Sequence, residues 1–215
     1  MNKRTKNTVQ LFDKYAESYA QRFMDVSLYA PSLKEFCGLL PPHASMLELG
    51  CGPGNVTAFL LKQREDLQIL ATDLSEEMLK ITRKNLPGIS CRPLNFKELE
   101  NCPHRYEAVM AAFCLPYLNQ PETASFMHQL SVILEPGGII YISLMEGDHE
   151  LSGMQKSSNG QDEMMIFYHS TGFVWCFLNL TPGRLARRAF QSQSFFYKYC
   201  YVKYLLLHNY YYLFQ

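Results

Sequence analysis

Gly50, Gly52 and Gly54 occupy alternate positions in Met46-Leu-Glu-Leu-Gly-Cys-Gly-Pro-Gly-Asn55. An apolar run precedes them and the helix-like stretch Val56 to Leu61 follows at once. Strand, glycine turn, helix is a geometry that brings bare backbone and a helix N-terminus against a ligand, with no side chain in the way. The spacing is G-x-G-x-G, unlike the G-x-G-x-x-G of dinucleotide sites, and no Gly-Lys-Ser/Thr follows as a P-loop requires. A second apolar run, Leu67 to Thr72, closes on Asp73, at about the twenty-residue interval of an acid that meets a ribose in a βαβ unit. Parallel strands joined by a helix end side by side, so Asp73 should face the turn and accept hydrogen bonds from both ribose hydroxyls. Its plainer role would be to cap the helix-like Glu76 to Asn85, but Ser75 can do that without help.

These residues resemble a family. Glu48-Leu-Gly-Cys-Gly-Pro-Gly54 and Ala71-Thr-Asp-Leu-Ser-Glu-Glu-Met78 look like motif I and the acidic loop of class I S-adenosylmethionine (SAM)-dependent methyltransferases. The likeness continues through Leu94-Asn-Phe96, Tyr106 to Leu118 and Leu134-Glu-Pro-Gly-Gly138, covering roughly residues 8 to 170. It implies SAM as cofactor and S-adenosylhomocysteine (SAH) as product. It places Gly50, Cys51, Gly52, Gly54 and Asn55 against the methionine and ribose parts, and Glu48 near the amino group. A buried acid bonded to loop amides is the other reading of Glu48. Leu74 and Met78 would offer an adenine face, and Asn95-Phe96 would stand where the family often has Asp and an apolar residue. Asn95 both donates and accepts, so it can still read adenine. Phe113 and Cys114 would close over the sulfonium. Phe12-Asp-Lys-Tyr-Ala-Glu-Ser-Tyr19 resembles a lid segment, with Tyr19 over the pocket, Tyr15 packing in the core, and Arg22 one turn on beside the SAM carboxylate.

Displacement at a sulfonium methyl needs positioning and desolvation, and a general base only if the nucleophile carries a proton. No Asn-Pro-Pro-Tyr segment is present; Cys114-Leu-Pro-Tyr117 stands in that place, and no Pro-Cys nucleophile occurs. Candidate bases are Tyr117, Glu146, Asp148, His149, Tyr168 and His169, with the two histidines favoured because imidazole titrates near neutral pH. The expected activity is methyl transfer to a small-molecule acceptor. The alternative is a catalytically silent SAM-binding protein that acts through a partner.

The elements needed to hold such a site are legible. A helical stripe runs over Thr8 to Met24, Pro31 can start a second helix, and Pro41-Pro42 stops it. Later come a short strand near Ile89 to Arg92, a buried strand Glu107 to Ala112, a helix Glu122 to Leu134, a break at Pro136-Gly-Gly, and a strand Ile139 to Met145. Alternation of this kind calls for a Rossmann-like, doubly wound, mostly parallel sheet with helices on both faces and an N-terminal helical lid. The single domain divides into a lid segment (1–43), a SAM-binding core (44–170) and an atypical C-terminal segment (171–215). Glu146 to Gly160 reads as a long loop before a return strand Met164 to Tyr168.

Of 20 basic and 20 acidic residues, five basic and no acidic ones lie beyond residue 170, which leaves the first 170 net acidic. That opposes a nucleic-acid partner. The seven cysteines form neither C-x-x-C pairs nor a His-Cys cluster, so no metal and cytoplasmic residence are expected, and no apolar leader follows the basic start. Lys198, Lys203, His208 and Asn209 interrupt the terminal apolar run, against a membrane span. Self-association into a homo-oligomer is left open. The tyrosine-rich end reads either as an aromatic closing hairpin or as a terminus altered by a shifted frame, because local pattern and expected fold disagree there.

Overall fold

The computed structural model describes residues 1–102, 104–156 and 161–180, and three later strand segments at 187–189, 194–197 and 200–203. Helix α1 (Lys3–Phe23) begins five residues before the apolar stripe, because Asn2 caps it: the Asn2 side chain accepts from the Thr5 N–H at 2.9 Å. Helix α2 (Ala30–Leu39) leads to strand β1 (Ser45–Leu49), and the glycine turn then feeds α3 (Asn55–Gln63). Strand β2 (Gln68–Asp73), helix α4 (Glu76–Asn85), strand β3 (Ser90–Pro93) and strand β4 (Tyr106–Ala111) follow. Helix α5 (Gln120–Ile133) opens on a capping box between Asn119 and Glu122.

Strands β3, β2, β1 and β4 lie side by side in parallel, and β5 (Leu134–Ile142) extends the sheet beyond β4. Alternate residues feed two cores. Leu47, Leu49, Val109 and Ile140 meet α5 residues Phe126 and Leu130, whereas Met46, Ala108, Met110 and Tyr141 meet Phe36 of α2 and Leu60 of α3. A sheet covered on both faces explains why these strands read as continuous apolar runs.

Two expectations need correction here. Pro136-Gly137-Gly138 does not separate helix from strand. Strand β5 already starts at Leu134, and the register shift between Tyr106 and Ala108 takes up the extra residues, with Gly137 at φ 93°. Nor is Glu146 to Gly160 a structureless loop. A 3₁₀ turn spans His149–Leu151, and β6 (Gly153–Lys156) pairs antiparallel with β7 (Glu163–Ile166), the anticipated return strand.

After α6 (Thr171–Leu180), strands β8 (Arg187–Ala189), β9 (Ser194–Tyr197) and β10 (Cys200–Lys203) form an antiparallel set, and β10 joins β5 in parallel. The sheet order is β3-β2-β1-β4-β5-β10-β9-β8. A closing hairpin is thus present at Tyr197 and Cys200, while the aromatic run from residue 204 to 215 lies outside the described residues. Among the described residues no helix is long and apolar enough to cross a membrane.

Candidate active site

Chain direction puts the site at the carboxyl ends of β1 and β4, where the strand order reverses. The turn after β1 takes Gly50, Gly52 and Gly54 through φ of 65°, 54° and 80°, the left-handed region that side chains resist. Helix α4 supports the turn from behind. Thr82 Oγ1 donates to the Gly52 carbonyl at 2.7 Å, and Asn85 Nδ2 donates to the Pro53 carbonyl at 3.0 Å. Gly50 and Gly52 border the cleft. Gly54 does not, contrary to expectation: a Cβ there would meet Thr82 Cγ2 and Leu86 Cδ1 at 3.2 Å, so its role is close approach to α4. Gly54→Ala should therefore lower the unfolding free energy by roughly 1–3 kcal/mol, combining left-handed strain with overpacking. Urea unfolding measures this, and an unchanged midpoint would show that α4 does not press on the turn.

Asp73, at the end of β2, faces that turn. Its Oδ2 accepts from the Gly52 N–H at 2.9 Å and its Oδ1 from the Ser75 N–H at 2.8 Å. Burial raises its pKa from the ordinary carboxylate value, against the pull of these donors. Ser75 is the cap of α4, accepting from the Met78 N–H, and its hydroxyl in turn donates to Asp13 of α1 at 2.6 Å. Glu48 is 2% exposed, and Thr57 Oγ1 of α3 donates to it at 2.6 Å. Desolvation pushes its carboxyl up to about 7. Its partner is therefore a helix hydroxyl rather than loop amides.

The turn, Asp73 and α1 border one cleft. Glu48, Gly50, Cys51, Gly52, Asn55, Asp73, Leu74, Met78, Asn95, Phe96, Phe113, Cys114, Tyr117 and Tyr19 all border it, so the structure brings together most residues singled out from sequence. Several have specific internal partners. Asn55 Nδ2 donates to the Phe23 carbonyl at 2.7 Å, tying the end of α1 to the turn. Asn95 Nδ2 donates to Glu98 at 2.7 Å, and its Oδ1 accepts from the Lys97 N–H. Phe113 sits at φ 61°, held by its N–H donating to the buried Ser143 Oγ at 2.7 Å. A non-glycine residue in that region stores strain, and such strain clusters at functional sites. Cys114 is buried beneath it, with Sγ 3.3 Å from the Leu49 carbonyl.

The favoured bases fall elsewhere. His169 is fully buried away from the cleft, and its Nε2 lies 3.2 Å and 2.9 Å from the Leu115 and Leu118 carbonyls. Two acceptors require the proton on Nε2, so His169 is a clamp on the turn after β4. His149 does not line the cleft either; its Nδ1 lies 3.4 Å from Ser152 Oγ, and its ring lies parallel to Phe167. Both lie beyond β5, His149 just before the β6–β7 hairpin and His169 just after it. Tyr117 does line the cleft, edge-on to Phe12, and desolvation holds its phenol well above its ordinary value. It is a hydrogen-bond donor rather than a base. Arg22 is exposed and lies over the Phe23 ring instead of entering the cleft. Tyr15 turns to Asp162, which also pairs with Lys14 at 2.7 Å.

The roof of the cleft reaches further along α1 than Tyr19. Arg4, Thr5, Thr8, Val9 and Phe12 of α1, with Lys97 and Met165, line the cleft as well. Arg4 and Lys97 both pair with Glu122, Lys97 at 3.1 Å, and the Arg4 guanidinium lies 4.9 Å over the Phe167 ring. The stripe Val9, Phe12 could have flagged the roof; nothing local flags Arg4. No group of three His, Cys, Asp or Glu suited to a metal occurs among the described residues.

A parallel sheet with a glycine turn and a facing acid at its switch point defines a nucleoside-type ligand site. A methyltransferase-domain family model matches residues 46–138. A trans-aconitate 2-methyltransferase of Methylobacterium nodulans is 32% identical over 113 residues, 53% of this chain and 43% of that protein. A carboxy-S-adenosyl-L-methionine synthase of Campylobacter jejuni is 25% identical over 142 residues, 61% of this chain and 60% of that one. The alignments with the first curated relatives span 40% to 49% of those proteins. DhpI, solved as a complex with SAH, shares the fold at TM-score 0.64 and 20% identity, over 82% of this chain and 86% of its own.

Proposed function

We propose that the protein binds SAM in the cleft beneath α1 and transfers its methyl group to a small-molecule acceptor. The observation that carries this reading is the junction of β1 and β2, where bare Gly50 and Gly52 backbone borders the cleft beside the Asp73 carboxylate. A Cβ on Gly52 would come within 3.9 Å of Tyr19, narrowing the space that a ligand chain needs. SAM supplies an activated methyl on sulfonium sulfur. The protein's part is to hold and to dry: Asp73 for the ribose hydroxyls, Leu74, Met78 and Phe96 as apolar walls, and Asn95 for the adenine edge. Phe113 and Cys114 lie toward the reacting end, and Tyr19 and Phe12 exclude water from above.

A small acceptor is favoured because α1 roofs the cleft, and because the first 170 residues are net acidic, which repels nucleic acid. The names of the relatives are consistent with this, one acting on trans-aconitate and another named for SAM chemistry. Calorimetry with SAH is the direct test. Saturable binding, and label passing from methyl-labelled SAM into a metabolite extract but not with Gly52→Arg protein, is the expected result. Well-folded protein that binds no SAH would refute the reading, and tight binding with no transfer would favour the silent, partner-dependent alternative.

A further inference from the structure

Helix α1 carries two faces in the segment Phe12-Asp-Lys-Tyr-Ala-Glu-Ser-Tyr19. Phe12 and Tyr19, seven positions apart, share the face that borders the cleft. Asp13, Ala16 and Ala20 fall on the neighbouring face, where the two alanines pack with Met78 and Ile81 of α4. Asp13 is the polar end of that contact. Its Oδ1 accepts from the Ser75 hydroxyl at 2.6 Å and from the Glu77 N–H at 3.3 Å. Glu77 lies in the first turn of α4, whose N–H groups have no partner within the helix. A carboxylate from a second helix therefore shares the capping of α4 with Ser75.

Ser75 joins this contact to the ribose acid. It is 1% exposed, and its hydroxyl accepts from the Met78 N–H at 3.1 Å. A serine hydroxyl has one proton, and here Asp13 takes it, which fixes the direction of the oxygen. The Ser75 N–H goes the other way, to Asp73 Oδ1 at 2.8 Å, while Asp73 Oδ2 holds the Gly52 N–H at 2.9 Å. Asp13, Ser75, Asp73 and Gly52 thus form one chain of hydrogen bonds from the roof to the glycine turn. Burial raises the Asp73 pKa and the Asp13 charge adds to it, so a donor arriving at Asp73 relieves repulsion between two carboxylates that share one serine. Asp13 itself does not border the cleft. We propose that Asp13 is a positioning residue of the cofactor site: through Ser75 it sets the Asp73 carboxylate, so that seating of α1 on α4 and capture of a ribose stabilise each other. The proposal rests on the reading of the cleft as a SAM site. Linkage makes the effect reciprocal: a ligand held by Asp73 tightens α1 by as much as Asp13 strengthens the ligand.

Calorimetry with SAH on the full chain reads the first half of that linkage. Asp13→Ala should raise the SAH Kd roughly tenfold, the scale of a hydrogen bond to a charged group. Asp13→Asn keeps an acceptor oxygen for the Ser75 hydroxyl and should stay within about threefold of the parent. Lys14→Ala loosens α1 at its exposed pairing with Asp162 and should leave the Kd unchanged. The decisive comparison places Asp13→Ala in an Asp73→Ala background. There its removal should change the Kd by less than about twofold, whereas a role confined to helix packing would cost the same factor in both backgrounds. Hydrogen exchange reads the second half without any change at Asp13. SAH should slow exchange of the α1 amides from 13 to 20 in the parent and, at saturation, slow it less in Asp73→Ala. Unchanged affinity in Asp13→Ala, an equal loss in Lys14→Ala, equal losses in the two backgrounds, or equal protection of α1 in both proteins would each overturn the proposal. Failure of the parent protein to bind SAH would instead strike the SAM reading on which it rests.

Discussion

Replacing Asp73 by alanine should weaken SAH binding by roughly 1.5–3 kcal/mol, about ten- to a hundredfold, the range for hydrogen bonds to a charged group. The carboxylate already accepts from the Gly52 and Ser75 N–H groups, so it is held in place and loses little freedom when a ribose arrives. The same bonds mean that the variant leaves two backbone donors without acceptors, at a cost to stability of about 1 kcal/mol each. Calorimetry and thermal unfolding run in parallel separate the two effects. Asp73→Asn should recover about half of that stability, because its amide oxygen can still accept from one of these two donors, yet it should recover little of the affinity. Unchanged affinity in the alanine variant would remove Asp73 from the site.

Loss of the His169 clamp should have the largest effect on stability, with little on cofactor affinity. His169→Ala is expected to cost roughly 3–5 kcal/mol, adding a cavity at a fully buried site to two carbonyls, of Leu115 and Leu118, deprived of their donor. The residue also gives stability a pH dependence. Burial lowers the His169 pKa below its ordinary value of 6.5. Between the folded and unfolded values the unfolded chain binds more protons, so this contribution is complete above about pH 6.5 and is lost as the pH falls through and below it. Denaturant unfolding at a series of pH values should show that acid slope in the parent and a smaller one in His169→Ala. An equal slope in both would exclude His169 as its source.

The sequence was legible where the chemistry is local. A left-handed turn demands glycine, a βαβ unit brings the ends of β1 and β2 together, and Ser75 caps α4, so the turn and Asp73 could be read within one thirty-residue window. It was opaque where partners are distant. Arg4 and Glu122 are 118 positions apart and Lys14 and Asp162 are 148 apart, and no spacing rule reaches that far. His149 and His169 misled for a related reason. Imidazole chemistry favours catalysis near neutral pH, but the carbonyls that claim His169 are exposed by a turn whose shape only the fold determines. At Pro136-Gly-Gly, the tertiary pairing of β5 with β4 overrode a strong local breaker.

The anchors of α1 carry a consequence for how the protein is made. This helix leaves the ribosome before the sheet, yet its fasteners arrive in sequence: Ser75 is 62 positions behind Asp13, Glu122 is 118 behind Arg4, and Asp162 is 148 behind Lys14. Strands β1 and β2 can pair as soon as both have emerged, so the glycine turn and Asp73 exist early in synthesis. The roof above them waits until Asp162 has been translated, and each of these fastenings closes a longer loop than the last. A nascent chain stopped short of Asp162 would therefore present the floor of the cleft under a helix held at fewer points.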